Sequence, residues 1–467
     1  MATVLLYFIL VANAIIALAF PWVGIVLAYL LAILTPQNIW YWAFEGLRPV
    51  FWILVPTSIG LVLAILRKRL DFGRLRAPGS MGMVILWIAF TVAYYLGPYV
   101  DVVNEWRFND PHWFFPLLQK TFLTYFLALV LLDRLIKIRV AALVLVVTVI
   151  YMTYWANAQY LFYGKFGRIG GPAPFGSGVY ADENVFAVLF VVGAPFLYYA
   201  GLEAKSRLLR YALWAVIPFS WHAIFLTASR GALLATGLVM LIFFLRSGNK
   251  KAGVIVLLAF VAAFAWQAGD VMKERSATIA SYDEDASAEG RLDAWQAATG
   301  MMLRYPLTGV GFQSMGQAFP DFSSKRPRVA HNTFFQMGSE WGPIAGATYL
   351  GLMLLTLLRL HRNGVCLRPR MGENVAVLNL YHLNEACLLG LAGMFACSML
   401  LSLQNFELLY FLLLLSNLVL LQACGDGSFA SGSESGRLGR SHYRATLPTG
   451  HRQGLKGRHG RPAAPRR

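Results

Sequence analysis

The sequence predicts an all-α polytopic membrane protein of about 12 transmembrane helices, with one long outward loop that carries short helices. Three observations carry this expectation. Of 467 residues, 58% are hydrophobic and only 13% charged, where a soluble globular chain carries roughly a quarter charged residues. The apolar residues fall in runs of about 20, the length that spans a ~30 Å hydrocarbon core. Between those runs the basic residues gather in short clusters.

Taken in order, the first 34 residues are too long for one straight span and are interrupted by Pro21, which breaks a helix by removing a donor and clashing with the preceding turn. One broken crossing gives about twelve spans and is favoured; a hairpin would give about thirteen. The first run lacks a basic n-region and leads straight into more apolar sequence, so it is expected to be retained rather than cleaved. Eleven further apolar stretches lie near 49–66, 80–97, 117–133, 140–160, 184–203, 211–227, 231–245, 252–268, 341–360, 383–401 and 404–421. Lipid offers the backbone no hydrogen bonds, so each is expected to be a helix.

The formal net charge is +17, which by itself could suggest a nucleic-acid partner. Its distribution argues otherwise. Basic residues cluster at Arg67–Arg76, Arg134–Arg139, Lys205–Arg210, Arg246–Lys251, Arg359–Arg370 and in the tail from Arg437. Placing every cluster on the cytoplasmic side makes the spans alternate without conflict, the positive-inside pattern. No nucleic acid is needed to explain the charge. The expected organisation is a transmembrane domain over 1–422, a long loop over 269–340 within it, and a basic, Gly/Ser/Arg/Pro-rich cytoplasmic tail over 423–467 of disordered composition. Cys387 and Cys397 lie in an apolar run, and Cys366 and Cys424 in cytoplasmic segments, so no disulfide is expected.

The outward segments are then 35–48, 98–116, 161–183 and 269–340. In the last, Ser287 and Glu289 mark a helix start, and Leu292, Trp295 and Met302 recur at roughly helical spacing as its buried face. Arg230 sits in the tight turn Thr227-Ala228-Ser229-Arg230-Gly231. An arginine at membrane depth faces a pocket or partner, or else snorkels to headgroups at a helix end; the turn fits both. Lys120 and Arg168 are weaker cases, each readable alone as a satisfied surface cation, but all sit at one membrane level, where cations could converge on an anion. His331 opens His331-Asn332-Thr333-Phe334-Phe335 just before a span; of eight histidines, only it and His112 fall in outward segments. A neutral imidazole can accept a hydroxyl proton, although a lone histidine is commonly structural. Asp283-Glu284-Asp285 reads as a solvated turn, since adjacent carboxylates point apart and no further ligand spacing accompanies them. Gly309-Val310-Gly311 lies outside any strand–helix unit and is no nucleotide site. No metal site and no cofactor are expected.

The run from Ala280 to Trp295 (ASYDEDASAEGRLDAW) resembles the long loop of the O-antigen ligase superfamily, most closely its O-glycosylation ligase branch. Ser229-Arg230-Gly231 before one apolar helix and His331-Asn332 before the next complete that pattern in order. The likeness covers roughly residues 35–360. It implies an inner-membrane glycosyltransferase whose active site faces the periplasm. Such a ligase moves a preassembled glycan from undecaprenyl pyrophosphate to an acceptor such as lipid A–core oligosaccharide, without metal and with inversion. By the same resemblance Arg230, Arg291 and His331 match essential residues; Arg168 and Lys120 match less closely. The four cations would hold the pyrophosphate, and His331 would take the acceptor proton or orient the hydroxyl.

An O-antigen polymerase uses the same donor with a lipid-linked glycan as acceptor, and a protein O-oligosaccharyltransferase accepts a Ser or Thr side chain. The Ala280–Trp295 run favours a ligase over a polymerase. A lipid or glycan transporter would show inverted repeats and ionisable residues at the bilayer midplane, whereas the candidate charges here gather at one face and no repeat is visible. The charge map predicts that a lone cysteine placed at Ser323 in a cysteine-free background reacts with a membrane-impermeant thiol reagent in intact spheroplasts; labelling only after lysis would overturn the map.

Overall fold

The computed structural model describes residues 2–44, 47–67, 70–174, 178–247, 250–267 and 286–423. All regular structure among these residues is helical. The main helices are α1 (Ala2–Ala19), α2 (Pro21–Leu34), α3 (Pro49–Leu66), α4 (Ser80–Leu96), α5 (Pro111–Leu131), α6 (Leu135–Leu161), α7 (Glu183–Glu203) and α8 (Arg207–Thr227). They continue with α9 (Arg230–Arg246), α10 (Lys250–Gln267), α11 (Ala286–Arg304), α12 (Thr333–Trp341), α13 (Pro343–Leu367), α14 (Val375–Ser398) and α15 (Glu407–Gln422). All eleven apolar stretches after the N-terminal segment coincide with one of these helices.

Among the described residues eight helices are long and apolar enough to cross a membrane. Four shorter apolar helices, Leu10–Ala19, Ser80–Leu96, Gly253–Trp266 and Glu407–Gln422, accompany them. The expected twelve spans are thus met in eight by length and composition. A 17-residue helix such as α4 rises only about 25 Å, short of a full hydrocarbon core. The break expected at Pro21 is present: Phe20 leaves helical geometry with φ −130° and ψ 78°, and Pro21 opens α2. Both α1 and α2 pack on α3 and on each other.

α15 forms the centre of the bundle. Residues 408–419 are buried on every side, which is why its sequence is apolar all round rather than striped. α7 and α14 pack closely because small residues face the contact. A side chain at Gly390 would meet Phe196 at 3.0 Å and the Val192 carbonyl at 3.2 Å, and one at Gly393 would meet Val191 at 2.8 Å. Where hydrophobic attraction between helices is weak, such close approach supplies the packing.

Among the described residues, arginines of the basic clusters serve the bundle structurally. Arg74 donates to the carbonyls of Leu129 (2.9 Å) and Leu132 (3.1 Å), the free acceptors at the C-terminus of α5. Arg139 pairs with Glu203 at 2.6 Å. Arg246 grips the buried Glu385 through two bonds of 2.5 and 2.6 Å and also meets His361 Nδ1 at 2.7 Å. This last pair ties α9 to α14 and α13.

Residues 286–340 build a second, smaller apolar core from Ala294, Ala297, Ala298, Met301, Val310, Met315, Ala318, Phe319 and Ala330. α11 is therefore a packed helix, as expected, but its buried face differs from the expected one. Leu292 is half exposed, and alanines carry the contact, with Trp295 and Met302 at its margin. Two glycines let this core meet the bundle: Gly309 (φ +61°) and Gly311 (φ +117°) adopt left-handed backbone, and Gly311 lies against Gly97. Backbone bonds then run from Val310 N to Ser339 O (2.8 Å) and from Tyr99 N to Val310 O (3.0 Å). Asp283–Asp285, Lys273, Arg275 and the tail from 424 lie outside the described residues.

Candidate active site

His331 stands where the second core meets the bundle. Its neighbour Asn332 caps α12, accepting from the Phe334 and Phe335 amides at 2.9 and 3.3 Å. Asn332 also donates to the Met399 carbonyl (3.2 Å), and Thr333 donates to the Leu401 carbonyl (2.8 Å) while accepting from Leu403 N (3.0 Å). These bonds fasten the segment to the 399–403 turn between α14 and α15. From the other side Trp295 of α11 donates its indole N–H to the Ala330 carbonyl at 2.9 Å and stacks on Phe335 with centroids 5.2 Å apart. Between these anchors His331 is held at φ +47°, a left-handed conformation costly for a residue with a β-carbon.

Cations from two segments face the imidazole. Arg291 lies one turn before Trp295 on α11, hence on the same face. Arg328 lies over Gly290, where any side chain would collide with its guanidinium. Burial lowers the His331 pKa, Arg291 and then Arg328 lower it further, and Asp182 opposes them. The ring is accordingly neutral near pH 7, with a free acceptor nitrogen. Asp182 caps α7 by accepting from Asn184 N (2.8 Å) and Val185 N (3.0 Å).

The same α7 terminus holds Arg168, which reaches Glu183 at 3.4 Å and Asn184 Oδ1 at 3.4 Å. Arg168 Nε donates to the Thr227 carbonyl at 3.1 Å, and Ile169 N to Leu226 O at 3.0 Å. That seats the Arg168 loop on the turn leading to Arg230. In this turn Ala228 is left-handed (φ +49°), Ser229 caps α9 through Ala232 N (3.4 Å), and Arg230 is the first helical residue. A side chain at Gly231 would meet Leu400 at 3.1 Å. The 399–403 turn is thus touched by the Arg230 helix and by the His331 segment alike.

Arg168, Arg230, Arg291 and His331 therefore gather at one end of the bundle, linked through the α7 terminus and the 399–403 turn. Arg230 adds its charge at a helix N-terminus, where backbone N–H groups also favour an anion. Lys120 is placed differently: it pairs with Glu407 at 3.6 Å, and the Thr121 hydroxyl donates to the same carboxylate at 3.2 Å. Its surroundings are Tyr29, Val50 and Thr124. Arg328 and Asp182 stand close enough to act on His331 although the sequence did not mark them; the bare Gly290 beside Arg291 was the one local hint. Among the described residues no three His, Cys, Asp or Glu side chains come together as a group that could hold a metal ion.

Residues 215–350 match the family model described as O-antigen ligase. The matched stretch takes in Arg230, Arg291, Arg328 and His331, and leaves out Arg168 and Lys120. No curated protein matches the chain.

The imidazole of His331 is expected to titrate below 6.5 in the folded protein. Replacing Arg328 with Gln removes one of the two cations facing it and should move that titration upward, toward 6.5. Ring-nitrogen NMR of histidine-labelled protein in detergent, assigned with His331→Asn, checks this; a downward shift would contradict the placement of Arg328.

Proposed function

We propose that this chain, whose residues 215–350 match the O-antigen ligase family model, transfers a preassembled glycan from undecaprenyl pyrophosphate to an acceptor hydroxyl. The acceptor we propose is lipid A–core oligosaccharide, at the periplasmic face of a bacterial inner membrane. The observation that carries this reading is a half-buried histidine whose pKa is lowered by burial and by Arg291 and Arg328, joined through the α7 terminus and the 399–403 turn to the segments that carry Arg168 and Arg230.

The chemistry asked of such a site is modest. The acceptor oxygen attacks the anomeric carbon, its proton passes to His331, and the bond from that carbon to the pyrophosphate oxygen breaks with the electron pair leaving on phosphate. Pyrophosphate is already a good leaving group, so no strong general acid is required. Fixed positive charge where negative charge grows is the larger need. Guanidinium stays charged and grips phosphate oxygens in a two-pronged fork. Arg230 and Arg291 take this role, Arg328 adds charge beside them, and Arg168 braces the turn before Arg230. Attack opposite the leaving group inverts the anomeric centre. Lys120 was expected among the pyrophosphate ligands, and in this reading it keeps instead to its partner Glu407.

Purified protein given a lipid-linked glycan tests the reading, with lipid A–core, a second lipid-linked glycan and a Ser/Thr peptide offered as acceptors. Lipid A–core should be glycosylated; transfer to the second lipid-linked glycan alone would make the protein a polymerase, and transfer to peptide alone a protein oligosaccharyltransferase. Arg230→Lys and Arg291→Lys should each slow single-turnover transfer about 10²–10³-fold, as when one donor to a developing oxyanion is removed, because a point cation loses the fork. His331→Ala should abolish turnover with donor binding nearly intact. Wild-type rates in all three variants would sink the assignment. The arginine mechanism also predicts transfer that survives a chelator strong enough to strip magnesium and manganese. Activity lost on chelation and restored by one divalent ion would replace it with a metal mechanism.

A further inference from the structure

Beneath His331, α12 carries a carboxyl that the transfer chemistry leaves unused. Glu340 is 2% exposed, and burying a carboxyl is costly unless it is hydrogen-bonded. Its partners are all uncharged: Gln336 Nε2 donates at 2.8 Å, the Met315 amide at 3.4 Å, and the Gln313 backbone and Gln404 side chain also face it. Burial raises its pKa to about 7, against those donors.

Gln336 is the informative neighbour. Its Oε1 accepts from the Ala330 amide at 2.8 Å and from the Ser402 hydroxyl at 3.0 Å. One side chain therefore joins the peptide immediately before His331 to the 399–403 turn, which lies against the Arg230 helix. A glutamine amide is nearly symmetric in shape, and either end fits the same space. Reversed, it would set an N–H₂ against the Ala330 N–H, donor against donor. A serine hydroxyl can rotate to suit a reversed amide; a backbone N–H cannot. The Ala330 N–H thus favours one orientation, and the group beyond the far end of the amide, the Glu340 carboxyl oxygen, completes the selection by accepting from the N–H₂ end.

We propose that Glu340 is a positioning residue for His331: its carboxyl fixes which way round the Gln336 amide sits, and Gln336 then holds the Ala330 peptide and the 399–403 turn in place around the histidine. This rests on the reading of His331 as the group that takes the acceptor proton. A methionine or leucine at 340 would fill the same volume without the desolvation cost, but would leave the N–H₂ end of the amide without its acceptor and its orientation less firmly held. Glu340 acts at one remove, so its effect belongs in the transfer step rather than in donor binding.

The test uses the full-length protein in detergent, with single-turnover transfer and donor binding measured on each variant alongside melting temperature. Glu340→Met should slow transfer at saturating donor at least tenfold while leaving donor affinity within twofold. Glu340→Gln, which still offers an acceptor oxygen to Gln336, should stay within threefold of wild type. Gln336→Glu places two carboxyls face to face and should be severely impaired; the exchanged pair Gln336→Glu with Glu340→Gln restores one donor between two acceptors and should recover at least tenfold of that loss. Wild-type transfer by Glu340→Met overturns the proposal, as does an exchanged pair no better than Gln336→Glu alone. Should Glu340→Met fail to fold, the exchanged pair decides. His331→Ala in the same assay separates the two readings: if it is inactive while Glu340→Met is fully active, the positioning role fails alone, and if it transfers normally, the role given to His331 fails and takes this inference with it.

Discussion

The hydrogen bonds that Asn332 and Thr333 send to the Met399 and Leu401 carbonyls give the candidate site its place. The 286–340 region has a small core of its own, too slight to fix a catalytic geometry unaided. Its firm purchase is on the turn joining two heavily buried helices of the bundle, α14 and α15. Those carbonyls are free because α14 has just ended and α15 has not begun. A helix end left open in one element thus becomes the socket for another. Gly231 packs against the same turn, so the arginine on α9 and the histidine before α12 share one reference point although about a hundred residues separate them.

Positioning through shared backbone suits a site built mainly of arginines. Long cationic side chains lose much rotamer freedom on being fixed, and several together repel one another. Here each is tied at a different point: Arg168 to Glu183, Asn184 and the Thr227 carbonyl, Arg328 over Gly290, and Arg230 at a capped helix start. Acidic groups are present but turned to structural work. Asp182 caps a helix while moderating the field at His331.

The helical architecture was legible because lipid leaves the backbone a single option, so hydropathy and helix coincide over all eleven stretches. Arg230, Arg291 and His331 stood out as candidates through short motifs and a family resemblance, and the fold brings their segments to one end of the bundle. Other features required contacts between distant segments. Arg328 carried no motif of its own, and its placement depends on a glycine almost forty residues earlier. The partner of Lys120, Glu407, comes from the far end of the chain, so no local reading could supply it. On α11 the expected apolar stripe ran through Leu292, yet the buried face is made of alanines; small residues carry little hydropathic signal but allow the closest packing. Glu340 was invisible because a glutamate near a helix end usually reads as solvated.

The strained backbone at His331 has a consequence of its own. The imidazole owes its neutrality to burial and to cations on α11 and in the 325–331 segment, and its φ of +47° to bonds that hold the peptides on either side. A histidine whose proton affinity is set by separate parts of the chain keeps that affinity only while those parts are docked. Apart from them, the ring would return toward ordinary basicity and its backbone toward a relaxed φ. On the proposed reading, a base assembled in this way exists only while the 286–340 region is docked on the bundle.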